Sequence, residues 1–182
     1  MNFLFSILKM SSSYLRSRIM GKVFAKKSIL FGFLLVAFII AFEIILARLS
    51  FPAWPAFMVM IFFFVVHEDT KQAPNILIGG LAGIVCVVLC GMFIEALPSV
   101  MGHEAAKLLF IGLFVYSIVL LQDAIPYAFN SYAFMFFLVA ALALPTAKVS
   151  PYVWMGIELV VGTIFIIGIL GINRLVVAIL KD

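Results

Sequence analysis

The sequence has 182 residues, 66% of them hydrophobic and 11% charged, with a formal net charge of +4, and its mean hydropathy is +1.31. Soluble domains carry about 25% charged and about 45–50% apolar residues, so a globule in water would expose large apolar patches and is excluded. With 20 Phe, 12 Gly at no fixed period and two Cys, disordered, collagen-like and disulfide-stapled chains are excluded as well. What remains is an all-α, polytopic membrane protein.

The chain opens with a basic segment, residues 1–27, followed by one transmembrane domain, residues 28–182. Six of the twelve basic residues lie in the segment (Lys9, Arg16, Arg18, Lys22, Lys26 and Lys27), with no acid among them. Its apolar stretch Met1 to Leu8 precedes the charges, the reverse of a secretory signal, so the segment is expected to be retained. It reads either as a leader that sets topology or as an interfacial segment on an anionic leaflet.

A helix crossing the hydrocarbon core needs about 20 mostly apolar residues. Six runs are candidate spans, the second of them short at 14 residues: Ser28 to Ala47, Ala53 to Val66, Pro74 to Ile94, Ala105 to Leu121, Tyr127 to Leu144 and Pro151 to Ile172. The intervening stretches each carry a charge, a proline or both. None of the runs alternates apolar with polar residues as a barrel strand does, so the spans are helices. With six spans, nine basic residues fall on one side (the six named, Lys71, Arg174 and Lys181) and three on the other (Arg48, Lys107 and Lys148). The positive-inside rule then puts both termini in the cytoplasm. Cys86 and Cys90, four residues apart in the third span, share a helix face and read as small packing residues.

An internal repeat appears at an offset of 77 residues. It pairs Phe57 with Phe134, Met58 with Met135, Lys71 with Lys148, Pro74 with Pro151, Gly79 with Gly156 and Gly91 with Gly168. Three spans per half invert the second half, which predicts a 3+3 inverted repeat. The second and fifth spans occupy matching places and both look interrupted near their starts. Pro55 follows the opening of one, while Pro126, Asn130 and Ser131 mark the other.

Most charges lie between spans, but Glu158 lies seven residues into the sixth, about 10 Å from its outer end at the helical rise. A charge at that depth is costly, and intramembrane acids mark proton or solute pathways. Gly162 and Trp154, one turn either side of it, place it on a face that a neighbouring helix can approach. Glu43, Arg48 and Glu95 cluster at the same membrane side. The candidates for a substrate or proton pathway are therefore Glu158, Glu43, Arg48, Glu95 and Asn130, and those for helix packing are Gly79, Gly83, Gly156 and Gly162. The competing reading makes Glu158 or Glu43 an ion-pair partner of Arg48. Trp54 and Trp154 read as interfacial belt anchors. The adjacent His67, Glu68 and Asp69 read as a solvated helix end, and His103 with Glu104 as a polar cap. No cofactor or metal site is expected, and no hydrolase or phosphate-loop motif points to an enzyme. The net charge follows from topology and gives no reason to invoke nucleic acid.

The run from Trp54 through Phe57, Phe62 and Phe63 to Gly79, Gly80 and Gly83, echoed by Gly156, Glu158 and Gly162, resembles the fusaric-acid-resistance, aromatic-acid-exporter type of membrane domain. It also resembles a group of small bacterial inner-membrane proteins with similar spacing from Trp to Gly. The resemblance covers about Phe31 to Ile172. Members of the exporter family usually carry an Arg where this sequence has Asn75 and Ile76, or Tyr152 and Val153, and often a large cytoplasmic domain with no counterpart here. The resemblance implies an export-type module. The expected function is a small permease or efflux module for a small organic solute, proton-coupled and working as a homo-oligomer in the bilayer. The alternative is an accessory or assembly subunit that transports nothing itself.

Overall fold

The computed structural model describes residues 26–96 and 102–180. Apart from Lys26 and Lys27, the basic segment lies outside the described residues. The described residues form six helices and no strand: α1 (Lys26–Arg48), α2 (Trp54–Val65), α3 (Ala73–Ala96), α4 (His103–Leu121), α5 (Ser131–Ala143, followed by a 3₁₀ turn, Leu144–Thr146) and α6 (Pro151–Ile179). Each expected span has its helix. Two boundaries differ from expectation. α5 starts at Ser131 rather than Tyr127, because Asp123 to Asn130 fold into successive turns and Asn130 caps the helix. α6 continues past Ile172 to Ile179.

Four helices, α1, α3, α4 and α6, are long and apolar enough to cross a membrane, a set compatible with an integral membrane protein. α2 and α5 have 12 and 13 residues, about 18–20 Å at the helical rise, against a hydrocarbon core about 30 Å thick. The order long, short, long thus occurs twice along the chain, and the two short helices, starting at Trp54 and Ser131, begin 77 residues apart.

The chain forms two compact units. The described part of the first comprises residues 26–42 of α1 and residues 168–180, the end of α6 and the residue after it. In it the ring of Phe38 sits where a Cβ at Gly168 would be, so the absence of a side chain there lets α1 and α6 come together.

The second unit runs from Glu43 to Ile167. α3 is its central helix, and its buried residues Ile76, Gly79, Gly80, Gly83, Ile84 and Val87 recur at the helical spacing on one face. α5 answers with Ala133, Phe136, Phe137 and Ala140. At Gly83 the two backbones touch: a Cβ there would collide with the Ala133 carbonyl and stand 2.8 Å from the Phe137 nitrogen. Lipid tails are as apolar as leucine, so it is close approach through small residues that joins helices in a membrane. α4 packs on both α3 and α5, where Phe110 lies 5.5 Å from Phe93, and Phe114 and Phe110 lie 4.8 Å and 6.2 Å from Phe137, centroid to centroid. Its other faces are largely exposed.

Two helix ends are closed by the same device. After α1 the Ser50 amide bonds to the Ala47 carbonyl and the Phe51 amide to Leu46, while after α2 His67 bonds to Phe64 and Glu68 to Phe63. This is the Schellman pattern, which satisfies the last carbonyls and turns the chain sharply. It places Ser50, His67 and Glu68 at φ of 57°, 56° and 61°. His67, Glu68 and Asp69 are therefore part of a tight reversal at the end of α2.

Candidate functional site

The shortness of α2 and α5 shapes the second unit at both ends. Where α2 begins and α5 stops there is a recess of about 480 Å³, bordered by Phe51, Pro52, Trp54, Thr146, Lys148 and Trp154. Where α2 stops and α5 begins there is another of about 540 Å³, bordered by Phe62, Gln72, Asn75, Asp123, Asn130 and Tyr132. Both volumes are in the range of small-molecule sites. One recess carries an ammonium and two indoles, the other carboxamides, a hydroxyl and a carboxylate.

A column of aromatic rings runs from one recess to the other. Trp154 meets Trp54 edge to face at 5.3 Å, Trp54 lies 6.5 Å from Phe136, Phe136 lies 5.9 Å from Phe62, and Phe62 lies 5.1 Å from Tyr132. Trp54 and Trp154 border the first recess, Phe62 and Tyr132 the second, and Phe136 in the middle is fully buried. Such offset and edge-on pairs contribute about 0.5–1.5 kcal/mol each beyond the area they bury. The column is a packed plug.

Glu158 lies beside its midpoint. It is fully buried, and neither carboxyl oxygen has a hydrogen-bond partner. Its Oε1 and the tip of the Phe136 ring converge on α3 at Gly80, where a Cβ would stand 2.6 Å from the oxygen and 2.9 Å from the ring. One turn away, the indole N–H of Trp154 is likewise buried with no partner. Buried polar groups are nearly always satisfied, so two orphans one turn apart stand out.

The backbone around Glu158 is also irregular. Residues Ile157–Val161 form a π turn within α6. Four residues overshoot one turn of an α-helix at 3.6 per turn but fall short of one π turn. The wider turn thus offsets the drift and keeps Trp154, Glu158 and Gly162, spaced four apart, facing inward. Single π turns inside α-helices are frequent at functional sites. Gly162 faces α2, where a Cβ would stand 2.8 Å from Val59.

Several expectations need correction. Trp154 is 1% exposed and packs on Trp54, so it is an interior residue and not a belt anchor. The ion pair between Glu158 and Arg48 is not formed, since the carboxyl oxygens of Glu158 have no partner. Gly156 has nothing among the described residues within 4 Å of a Cβ position, so it is not a close-packing glycine there. Glu43, Arg48 and Glu95 are exposed, so only Glu158 of the proposed acidic group is buried. Asn130 borders the second recess, but its amide is engaged in structure. Its Oδ1 accepts from the Ala133 amide at 3.0 Å, and its Nδ2 donates to Pro126, Tyr127 and, across to α3, the Asn75 carbonyl at 3.1 Å. Gly79 gives this amide room, because a Cβ there would overlap it.

Gly80 and Phe136 were not singled out as site residues by sequence reasoning. Gly80 shares the spacing of the Ile76 and Ile84 face, which was the available signal. Phe136 is one Phe among 20 and carries no distinguishing mark.

Compared with known proteins, the chain matches no family model, no curated protein and no solved structure.

Proposed function

We propose that the chain is a small permease or efflux module of a bacterial-type inner membrane, moving a small organic solute by exposing its two recesses in turn. The observation that carries this reading is Glu158: a fully buried carboxyl with no partner, in a π turn, beside a ring column that separates two opposed recesses. Burying an isolated charge is expensive, so a carboxyl held this way gains or loses a proton when its surroundings change. The reading makes Glu158 the coupling group, taking up and releasing a proton as the two three-helix halves rock. The short helices α2 and α5, at matching places in the halves, are where inverted-repeat transporters put their binding sites. In this topology Lys26, Lys27 and Arg174 face the cytoplasm and Lys148 the outside. The exporter-like resemblance agrees with this reading in kind, and copies of the chain associate as a homo-oligomer in the bilayer.

The decisive experiment is a flux screen in proteoliposomes with aromatic acids and cationic drugs, for wild type, Glu158→Gln and Glu158→Asp. Loss in Glu158→Gln with recovery in Glu158→Asp supports the coupling role, and unchanged flux in Glu158→Gln removes it. A second reading, an accessory subunit held to partners through its helix faces, is favoured by Gly91 and Gly112, where a Cβ would meet nothing within 4 Å. It predicts no flux of any solute and co-purification with a partner lost in Gly112→Leu.

A further inference from the structure

We infer that the first unit carries a binding site for the phosphate headgroup of an anionic phospholipid, held between Lys27 on α1 and Arg174 on α6. A groove of about 460 Å³ is bordered by Lys27, Leu170, Asn173, Arg174 and Val177. Leu170, Asn173, Arg174 and Val177 form one stripe of α6 at the helical spacing, and Lys27 faces it from α1. The Phe38 ring on Gly168 holds the same two helices together further along.

Charge balance identifies the occupant. The described residues of this unit, 26–42 and 168–180, include Lys26, Lys27 and Arg174 and no Asp or Glu. The unit's described residues offer no counter-ion for the pair that faces the groove. A phosphodiester supplies one: a guanidinium binds two of its oxygens as a fork and an ammonium adds a point charge.

Depth and shape favour a lipid over a free anion. Lys27 lies in the first turn of α1, just before the apolar run that opens at Ser28, and Arg174 lies five residues before the end of α6 at Ile179. Both charges thus stand at one edge of the hydrocarbon, where headgroups lie. The groove continues onto apolar surface: Leu170 and Val177 flank Arg174 on α6, and the half-buried Leu30, Phe31 and Leu34 continue along α1 on the face of Lys27. An acyl chain uses that surface, whereas inorganic phosphate does not. Basic pockets between membrane helices bind anionic headgroups in this way.

The test is native mass spectrometry of the full chain in detergent, titrated with phosphatidylglycerol, with phosphatidylcholine as the zwitterionic control and glycerol 3-phosphate as the soluble one. Wild type is expected to retain phosphatidylglycerol selectively. Each of Lys27→Gln and Arg174→Gln should weaken retention about five-fold and the double variant about thirty-fold, the effect of one or two charges near an anionic surface. Lys107→Gln on α4, in the other unit, should change nothing. Equal retention of phosphatidylcholine, competition by glycerol 3-phosphate at the concentration of the lipid, or wild-type binding by the double variant would each overturn the site. Should the double variant lose helicity, a salt titration of wild type decides the matter. Retention unaffected by 1 M salt overturns the site, and retention lost as screening grows supports it.

Discussion

The carboxyl of Glu158 on α6 rests against Gly80 on α3, close enough that a Cβ at Gly80 would stand 2.6 Å from Oε1. The glycine is therefore the clearance in which the acid sits. Gly80→Ala should lower stability by about 1–3 kcal/mol through overpacking, read as thermal unfolding in detergent. In a Glu158→Ala background the loss caused by Gly80→Ala should shrink by at least about 1 kcal/mol, because that background lacks the oxygen the new methyl collides with. An unchanged loss in that background would mean that the two residues do not touch in the membrane.

Glu158 has no hydrogen-bond partner, so its removal should help the fold. Glu158→Met, similar in length and adaptable in packing, should raise stability by about 1–3 kcal/mol, the cost of an unsatisfied buried polar group. Cutting one member out of a buried ion pair would instead lower it by about 3–5 kcal/mol. The sign of the change in unfolding temperature thus separates a functional acid from a structural one. A gain in stability accompanied by loss of solute flux is the pattern of a site that holds a costly group for its chemistry.

Asn130 joins two elements through one side chain, capping α5 at the Ala133 amide and reaching the Asn75 carbonyl of α3. Asn130→Ala should cost about 1–2 kcal/mol, the loss of an N-cap with its attached bridge. Asn130→Ser keeps the cap and loses the bridge, so it should fall between the two. Asn130→Asp should be worse than Ser, because it turns a carboxylate toward the carbonyls of Pro126, Tyr127 and Asn75. Amide exchange in the first turn of α5 reads the cap, and thermal unfolding reads the sum.

The six helices were legible because long apolar runs broken by prolines and charges have few other solutions, and Pro55, Pro74 and Pro151 all fall in first turns as the pattern suggests. Glu158 was legible for the same reason, as an acid inside an apolar run. Its neighbours were not. Gly80 and Gly156 look alike in sequence, yet one receives the carboxyl and the other has open space around it. An aromatic near a span end suits the interface equally well, so the burial of Trp154 depends on a partner, Trp54, that lies 100 residues away in sequence. The π turn leaves no mark in residue type. Asn130 was visible as a polar residue near a helix start, but the direction of its amide is decided by turn geometry that spacing does not encode.

Two glycines of α3 offer a controlled comparison. Gly83 meets the Ala133 carbonyl and the Phe137 nitrogen of α5, whereas Gly91, two turns on, meets nothing. Gly83→Ala should destabilise by about 1–3 kcal/mol, since backbone is the neighbour and cannot swing aside. Gly91→Ala should stabilise by about 0.5–1 kcal/mol through helix propensity alone. A similar effect at both positions would mean that α3 and α5 are not in backbone contact.

Ser50 ends α1 with φ of 57°, and its amide closes the turn onto Ala47. A side chain in that left-handed region costs about 1–2 kcal/mol, and glycine avoids the cost while giving up about 0.4–1 kcal/mol by loosening the unfolded chain. Ser50→Gly should therefore gain stability by roughly 0.5–1 kcal/mol. Ser50→Val, branched at Cβ, should lose more than glycine gains, because its side chain crowds the same backbone. Ser50 also borders the recess that holds Trp54 and Trp154, so the pair of variants separates two roles. Solute affinity that follows the loss of the hydroxyl in both places Ser50 in the recess's chemistry, whereas unfolding temperatures that move in opposite directions at constant affinity confine it to closing the helix.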